Sequence, residues 1–135
     1  MGDGKTVSIS KKKVNELEDL LAEFCARANT VWAILTNMTG QLLAQRGFVY
    51  SFDVLAISAL ACGVFNSTME LAHIVGEEKF TQFLQEGSKF SIYYTGVDED
   101  HILVSLFDDR TLPGVVKVAS EVCSHRAAEV IGNGV

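Results

Sequence analysis

The feature that most constrains the fold is residues 53–75, a run without proline in which Asp53 and Glu70 are the only charged side chains. Good helix formers fill this run, so we predict one long helix. A helix that is apolar almost all round is normally covered on two sides. A single domain can cover one of them, and we therefore expect the other side to meet a partner chain.

A helical wheel divides this predicted helix into two faces. One face, which we expect the domain itself to cover, holds Ile57, Leu60, Ala61, Val64, Thr68, Leu71 and Val75. The opposite face is small and mildly polar and holds Leu55, Ser58, Ala59, Cys62, Asn66, Met69, Glu70 and His73. We predict that this second face binds a partner. Its polar side chains argue against insertion into a membrane.

The first half of the chain reads as a helix followed by a hairpin. Apolar residues recur at helical spacing over residues 14–28, and Asn29 ends the pattern. Two strand-like runs, 31–35 and 41–46, flank an Asn…Gly turn at residues 37–40. This arrangement is typical of an antiparallel hairpin.

Three more strand-like runs, at 80–84, 90–96 and 102–107, are separated by turn-forming residues. A last helix follows, with Pro113 in its first turn. We expect its buried stripe to consist of Leu112, Val115, Val116, Ala119, Val122 and Cys123. The predicted element order is α-β-β-α-β-β-β-α, with residues 11–131 as one domain, 1–10 as a flexible N-terminus and 132–135 as a frayed tail.

Composition limits the functions that such a chain can have. A length of 135 residues with 48% hydrophobic residues suits one folded domain, and a net charge of −6 argues against nucleic acid as the partner. The three cysteines, Cys25, Cys62 and Cys123, have no disulfide or metal spacing. We interpret all three as small buried side chains in a reducing compartment, which predicts a cytoplasmic protein, although the helical wheel places Cys62 on the outward face of its helix.

No catalytic constellation emerges from the sequence. His73, His101 and His125 are isolated from one another and from the cysteines, so no metal ligand set arises. The segment 108–110 (Asp-Asp-Arg) reads as a strand-end turn with a local ion pair, because adjacent strand residues point to opposite sides. We therefore predict no enzyme activity, no cofactor and no metal.

An ordered series of segments resembles the Roadblock/dynein light chain family. Residues 59–72 look like its central helix, and residues 76–80, 86–87, 102–110 and 112–116 resemble its prokaryotic branch, which includes a gliding-motility regulator that accompanies a Ras-like GTPase. The resemblance spans residues 14–122. It implies an α/β (α+β) fold: a five-stranded antiparallel sheet with helices on both faces. It also implies a homodimer in which the central helices pack together and the next strand, with Phe80, Thr81 and Phe83, pairs with its twin.

The resemblance implies a non-catalytic protein that binds a Ras-like small GTPase and modulates its nucleotide state. The end of the chain has only Arg110 and Arg126 beside Lys117, fewer arginines than such relatives often have, so the resemblance supplies no arginine finger. Stabilisation of an active GTPase conformation is the simpler hypothesis. Two alternatives stay open: a scaffold that recruits a GTPase or motor-type complex without changing its rate, and a small-molecule sensor or enzyme on a similar layout.

Overall fold

The computed structural model describes residues 10–47 and 52–132. Its element order is α-β-β-α-β-β-β-α, as predicted. The helices are α1 (Lys11–Ala28), α2 (Val54–Val75) and α3 (Pro113–Gly132), and the strands are β1 (Trp32–Asn37), β2 (Leu42–Gly47), β3 (Gln82–Glu86), β4 (Ser91–Gly96) and β5 (His101–Phe107). The segments predicted as a flexible N-terminus and a frayed tail lie outside the described residues, apart from Ser10 and Gly132.

Local signals set the ends of the first two helices. Ser10 caps α1 by accepting a hydrogen bond from the Lys13 amide, and Asn29 ends it in the left-handed conformation. Asp53 caps α2 by accepting from the Ala56 amide, and Gly76 ends it at a φ of 89°. The predicted bounds of α2 are therefore confirmed at both ends.

All five strands form one antiparallel sheet in the order β2-β1-β5-β4-β3. The turn between β1 and β2 is fixed by Asn37, whose Oδ1 accepts from the Thr39 and Gln41 amides at 3.0 and 2.9 Å. Gly40 follows in the left-handed region, at a φ of 88°. This confirms the hairpin and leaves β2 and β3 as the two edges of the sheet.

The alternation of side chains along the central strands builds a core on each face of the sheet. Ala33 and Leu35 face α1 and α3, whereas Trp32 and Ile34 face α2. The fold therefore has three layers: α1 and α3 on one face, the sheet in the middle, and α2 alone on the other face. One helix does not enclose its own outer side, so the outer side of α2 stays open.

Two predicted details of the later elements are wrong. The strand expected at 80–84 begins two residues later, at Gln82, so Phe80 and Thr81 precede it. The buried stripe of α3 is confirmed at Val116, Ala119 and Cys123. It is wrong for Leu112, Val115 and Val122, which are exposed, and it lacked Ser120, Ser124 and Ala127, which are buried. Small side chains occupy the buried side because α3 lies close to the sheet and to α1.

Candidate protein-binding surface

The outer face of α2 carries large apolar side chains in contact with solvent. Leu60 is 71% exposed and Ile74 is 80% exposed, and Leu55, Leu71 and Val75 are more than half exposed. Contiguous apolar surface of this kind marks sites that bind other proteins or a membrane. We call the outer side of α2 the α2 face and define it by Leu55, Ala59, Leu60, Gly63, Ser67, Leu71 and Ile74.

Small residues lie between these large ones. A shallow open groove runs along the α2 face and is lined by Ala59, Leu60, Gly63, Val64, Ser67, Thr68 and Leu71. Nothing lies within 4 Å of the position that a Cβ atom would take at Gly63. A second backbone can therefore approach α2 closely at this point, with the large apolar side chains on either side of the contact.

The two faces of α2 were assigned incorrectly from the sequence. Ser58 and Cys62, expected on the partner-binding side, are buried at 0% and 6% exposure, and Met69 is partly buried. Leu60, Leu71 and Val75, expected inside, are exposed. Leu55, Ala59, Asn66, Glu70 and His73 are exposed as predicted. The helix is rotated by roughly a quarter turn relative to the assignment.

The side chain that fixes this rotation is Phe65, which neither predicted face included. Phe65 is buried and stacks on Phe83 with ring centroids 5.8 Å apart, and Phe83 stacks on Tyr94 at 4.5 Å. The small side chains of Ala61 and Ala72 complete the buried side. Phe65 is the largest aromatic residue of the run 53–75, and it was the sequence signal for which side of α2 faces the sheet.

Two predicted site residues contact the hairpin turn of their own chain. The Asn66 amide donates to the main-chain carbonyl oxygen of Met38 at 3.2 Å, and the Cys62 thiol donates to the same oxygen. Gly40 of this turn also lies against Ala59, since a Cβ atom there would be 3.2 Å from the Ala59 Cα atom. Cys62 and Asn66 thus join α2 to the β1–β2 turn.

One of the two edge strands of the sheet, β3, follows α2 in the sequence. The Gly96 amide donates to the Thr81 carbonyl oxygen at 2.8 Å, and Gln82 is opposite Thr95 in the register. Because hydrogen-bonded and non-hydrogen-bonded positions alternate in antiparallel pairs, the main-chain groups of Gln82, Leu84 and Glu86 point away from β4. Of the three residues predicted for this strand, only Phe83 lies in it, with its side chain under α2.

Two pairs of ionisable side chains lie in turns outside the α2 face. The Arg110 Nε donates to the Asp108 carboxylate at 2.9 Å, which confirms the predicted ion pair and lowers the pKa of Asp108. The His101 ring nitrogen is 2.7 Å from an Asp98 carboxylate oxygen. Within residues 10–47 and 52–132, no three His, Cys, Asp or Glu side chains come close enough to hold a metal ion.

All three thiols are free. Burial raises the pKa of the Cys123 thiol to about 12, and burial also raises the pKa of Cys25. Cys62 is buried, as expected for a small filling side chain, so only its assignment to the outward face of α2 is wrong. Cys25 and Cys123 therefore lack the lowered pKa of an activated cysteine nucleophile.

The α2 helix is the one helix among the described residues that is long and apolar enough to cross a membrane. Length and composition alone decide that test. In this fold the inner side of α2 packs on the sheet through Phe65, Ala61 and Ala72.

An antiparallel five-stranded sheet with two helices on one face and one long helix on the other is the Roadblock/LC7 architecture. Solved structures confirm this. A Roadblock/LC7 domain from Streptomyces avermitilis aligns with a TM-score of 0.78 and 15% identity, over 84% of this chain and 96% of that one. The comparison shows the fold that the sequence resemblance implied.

Bacterial MglB proteins align over more of the chain. Myxococcus xanthus MglB superposes with a TM-score of 0.86 and 25% identity, over 93% of this chain and 94% of that one. The gliding protein MglB from Thermus thermophilus superposes with a TM-score of 0.88 and 20% identity, over 96% and 98% of the two chains. No family model matches the sequence, and no curated protein matches it.

Proposed function

We propose that this chain is a non-catalytic, homodimeric regulator that binds a Ras-like small GTPase in the cytoplasm and modulates its nucleotide state. The observation that carries the proposal is the exposed apolar α2 face with its row of small residues. Self-association through this face and the adjoining β3 edge would bury surface that the single chain leaves in water. The structural likeness to MglB supports the same reading.

In a two-fold dimer the two α2 faces lie side by side and form one platform. The residues near the centre of the contact, such as Gly63 and Ser67, would face the second copy. Leu55 and Ile74, near opposite ends of the helix, would remain at the margins and contact the GTPase. A partner that prefers the GTP-bound conformation shifts the GTPase population toward it without supplying a catalytic group.

The positions of the lysine and arginine side chains favour this conformational mechanism over an arginine finger inserted into the GTPase. The α2 helix has no lysine or arginine. The three late cations are held in ion pairs away from the α2 face: Arg110 with Asp108, Lys117 with Glu121, and Arg126 with Glu23. A regulator of this build acts through the conformation of its partner.

The test uses a Ras-like GTPase with a complete phosphate-loop motif, encoded next to this chain. Its binding in the GTP-analogue and GDP forms is measured, together with GTP hydrolysis with and without the chain. We expect tighter binding of the GTP-analogue form and a changed hydrolysis rate. Binding without a change in rate supports the scaffold alternative instead, and absence of binding in both nucleotide states refutes a GTPase partner of this identity.

A pair of variants locates the contact. Leu55→Glu places a charge on the α2 face and is expected to weaken GTPase binding at least about tenfold, since an apolar contact would have to bury it. Val118→Glu makes the same kind of change on α3, where the side chain is also exposed, and should bind normally. Equal binding by both variants would place the contact outside the α2 face.

A further inference from the structure

Gln82 is the first residue of β3, and both the oxygen and the nitrogen of its side-chain amide are hydrogen-bonded. The Tyr93 hydroxyl donates to its Oε1 at 2.6 Å, and its Nε2 donates to the Glu121 carboxylate at 3.1 Å. Tyr93 belongs to β4 and Glu121 to α3. The edge strand is thereby joined to the neighbouring strand and to a helix through one side chain.

The acceptor in this network is itself fixed. The Lys117 Nζ donates to the same Glu121 oxygen at 2.9 Å, one turn earlier on α3. The hydrogen bonds from Lys117 and then from Gln82 lower the pKa of Glu121, so the carboxylate is ionised at neutral pH. A hydrogen bond to a charged acceptor is stronger than one between neutral groups, and Gln82 is therefore held firmly.

The main chain of the same residue points the other way. Gln82, Leu84 and Glu86 direct their amide and carbonyl groups away from β4, toward the open edge of the sheet. An edge strand that is straight and ordered is a template for pairing with another strand. Gln82 combines a side chain that is hydrogen-bonded to β4 and α3 with main-chain groups that point to the open edge.

We propose that Gln82 is a positioning residue for self-association: its bonds to Tyr93 and Glu121 hold the start of β3 in the extended geometry that pairs with β3 of a second copy. This inference rests on the proposed homodimer and assigns a role within it. Without the hydrogen bonds to Tyr93 and Glu121, the first residues of β3 would become ordered only when the two strands pair. The conformational entropy lost in that step would weaken the dimer.

The test compares dimer dissociation constants, measured by sedimentation, for the full-length chain and its variants. Gln82→Met keeps the length of the side chain and removes both hydrogen bonds in each copy. We expect its dissociation constant to rise roughly tenfold or more. Glu121→Gln keeps an acceptor for the Gln82 amide and should stay nearer to the wild type than Glu121→Leu does.

Arg126→Met is the matched control, because it removes the bond from α3 to Glu23 of α1 and leaves β3 untouched. Its dissociation constant should equal that of the wild type. If Gln82→Met fails to fold, Tyr93→Phe decides the question, since it removes a single hydroxyl. A folded Gln82→Met or Tyr93→Phe that dimerises like the wild type would overturn the role of Gln82, whereas a monomeric wild type would overturn the proposed homodimer.

Discussion

The Asn66 amide donates a hydrogen bond to the main-chain carbonyl oxygen of Met38, at 3.2 Å. The Cys62 thiol donates to the same oxygen from one turn earlier on α2. Two side chains of a helix thus hold the turn of a hairpin that lies nearly thirty residues away in sequence. The end of the sheet is joined to α2 by this contact, which is consistent with the rotation that Phe65 sets.

Replacing Asn66 should therefore destabilise the fold. Asn66→Ala leaves the Met38 carbonyl with one donor fewer, and we expect a loss of about 1 kcal/mol in the free energy of unfolding. Urea denaturation at a fixed protein concentration measures it. Asn15→Ala, the same substitution at an exposed position of α1, is the control and should not destabilise the fold. Equal stabilities for the two variants would show that the bond to Met38 contributes nothing.

Thiol reactivity should follow burial. Burial raises the pKa of Cys123 to about 12, so the fraction present as the reactive thiolate at pH 8 is very small. We expect a disulfide reagent to label Cys25, which is only partly buried, before Cys123 and Cys62 in the native protein. Mass spectrometry of digested samples identifies the order. Labelling of Cys123 as fast as in the unfolded chain would contradict its place between α1 and α3.

Gly47, at the end of β2, cannot be replaced without moving the main chain. Its φ is 103°, and a Cβ atom there would lie 2.6 Å from the Val31 carbonyl oxygen. We expect Gly47→Ala to cost more than about 1 kcal/mol of stability. Gly114→Ala, near the start of α3 where nothing lies within 4 Å, should be neutral or stabilising. A stable Gly47→Ala protein would refute this local geometry.

The Asp108–Arg110 pair predicts a pH dependence with a definite sign. The hydrogen bonds from Arg110 lower the pKa of Asp108 in the folded state. Such a group stabilises the fold above its unfolded pKa, about 4, and this contribution is lost as the pH falls through the lowered folded value. Asp108→Asn should thus be less stable than the wild type at pH 7, and the difference should shrink below about pH 4.

Chemical denaturation across that pH range measures the effect of Asp108. Asp109→Asn removes a neighbouring negative charge without touching the two hydrogen bonds that Arg110 donates to Asp108. It should follow the wild-type curve. A difference between Asp108→Asn and the wild type that persists unchanged into acid would contradict the ion pair as its source.

Local signals in the sequence were sufficient for the elements and their order. Ser10, Asn29, Asp53 and Gly76 end their helices through contacts within a few residues, and the Asn37 turn is equally local. The direction in which α2 faces was not predictable in this way. A helix that is apolar all round has no polar side to orient it, and the contact that decides, Phe65 on Phe83, joins distant segments.

The same limit applies to α3. Val115 and Val122 were predicted to belong to its buried stripe, yet both are exposed, whereas Ser120 and Ser124 are buried. Close packing against the sheet and α1 selects small side chains regardless of polarity. For α2 the reason was different: Leu60 and Leu71 were assigned to the inner side because the helix has no polar side to orient it.

The most direct test of the account is the mass in solution of the wild type and of Gly63→Gln. Nothing lies within 4 Å of a Cβ atom at Gly63, and glutamine favours a helix over glycine by roughly 0.5–1 kcal/mol, so the single chain should fold at least as well. A side chain at that position would, however, keep a second α2 helix from approaching.

Sedimentation equilibrium should give a dimer for the wild type, a monomer or a much weaker dimer for Gly63→Gln, and a wild-type dimer for the control Gly114→Gln on α3. A wild-type chain that sediments as a monomer, or a Gly63→Gln chain that dimerises like the wild type, would contradict the claim that the α2 face binds a second copy.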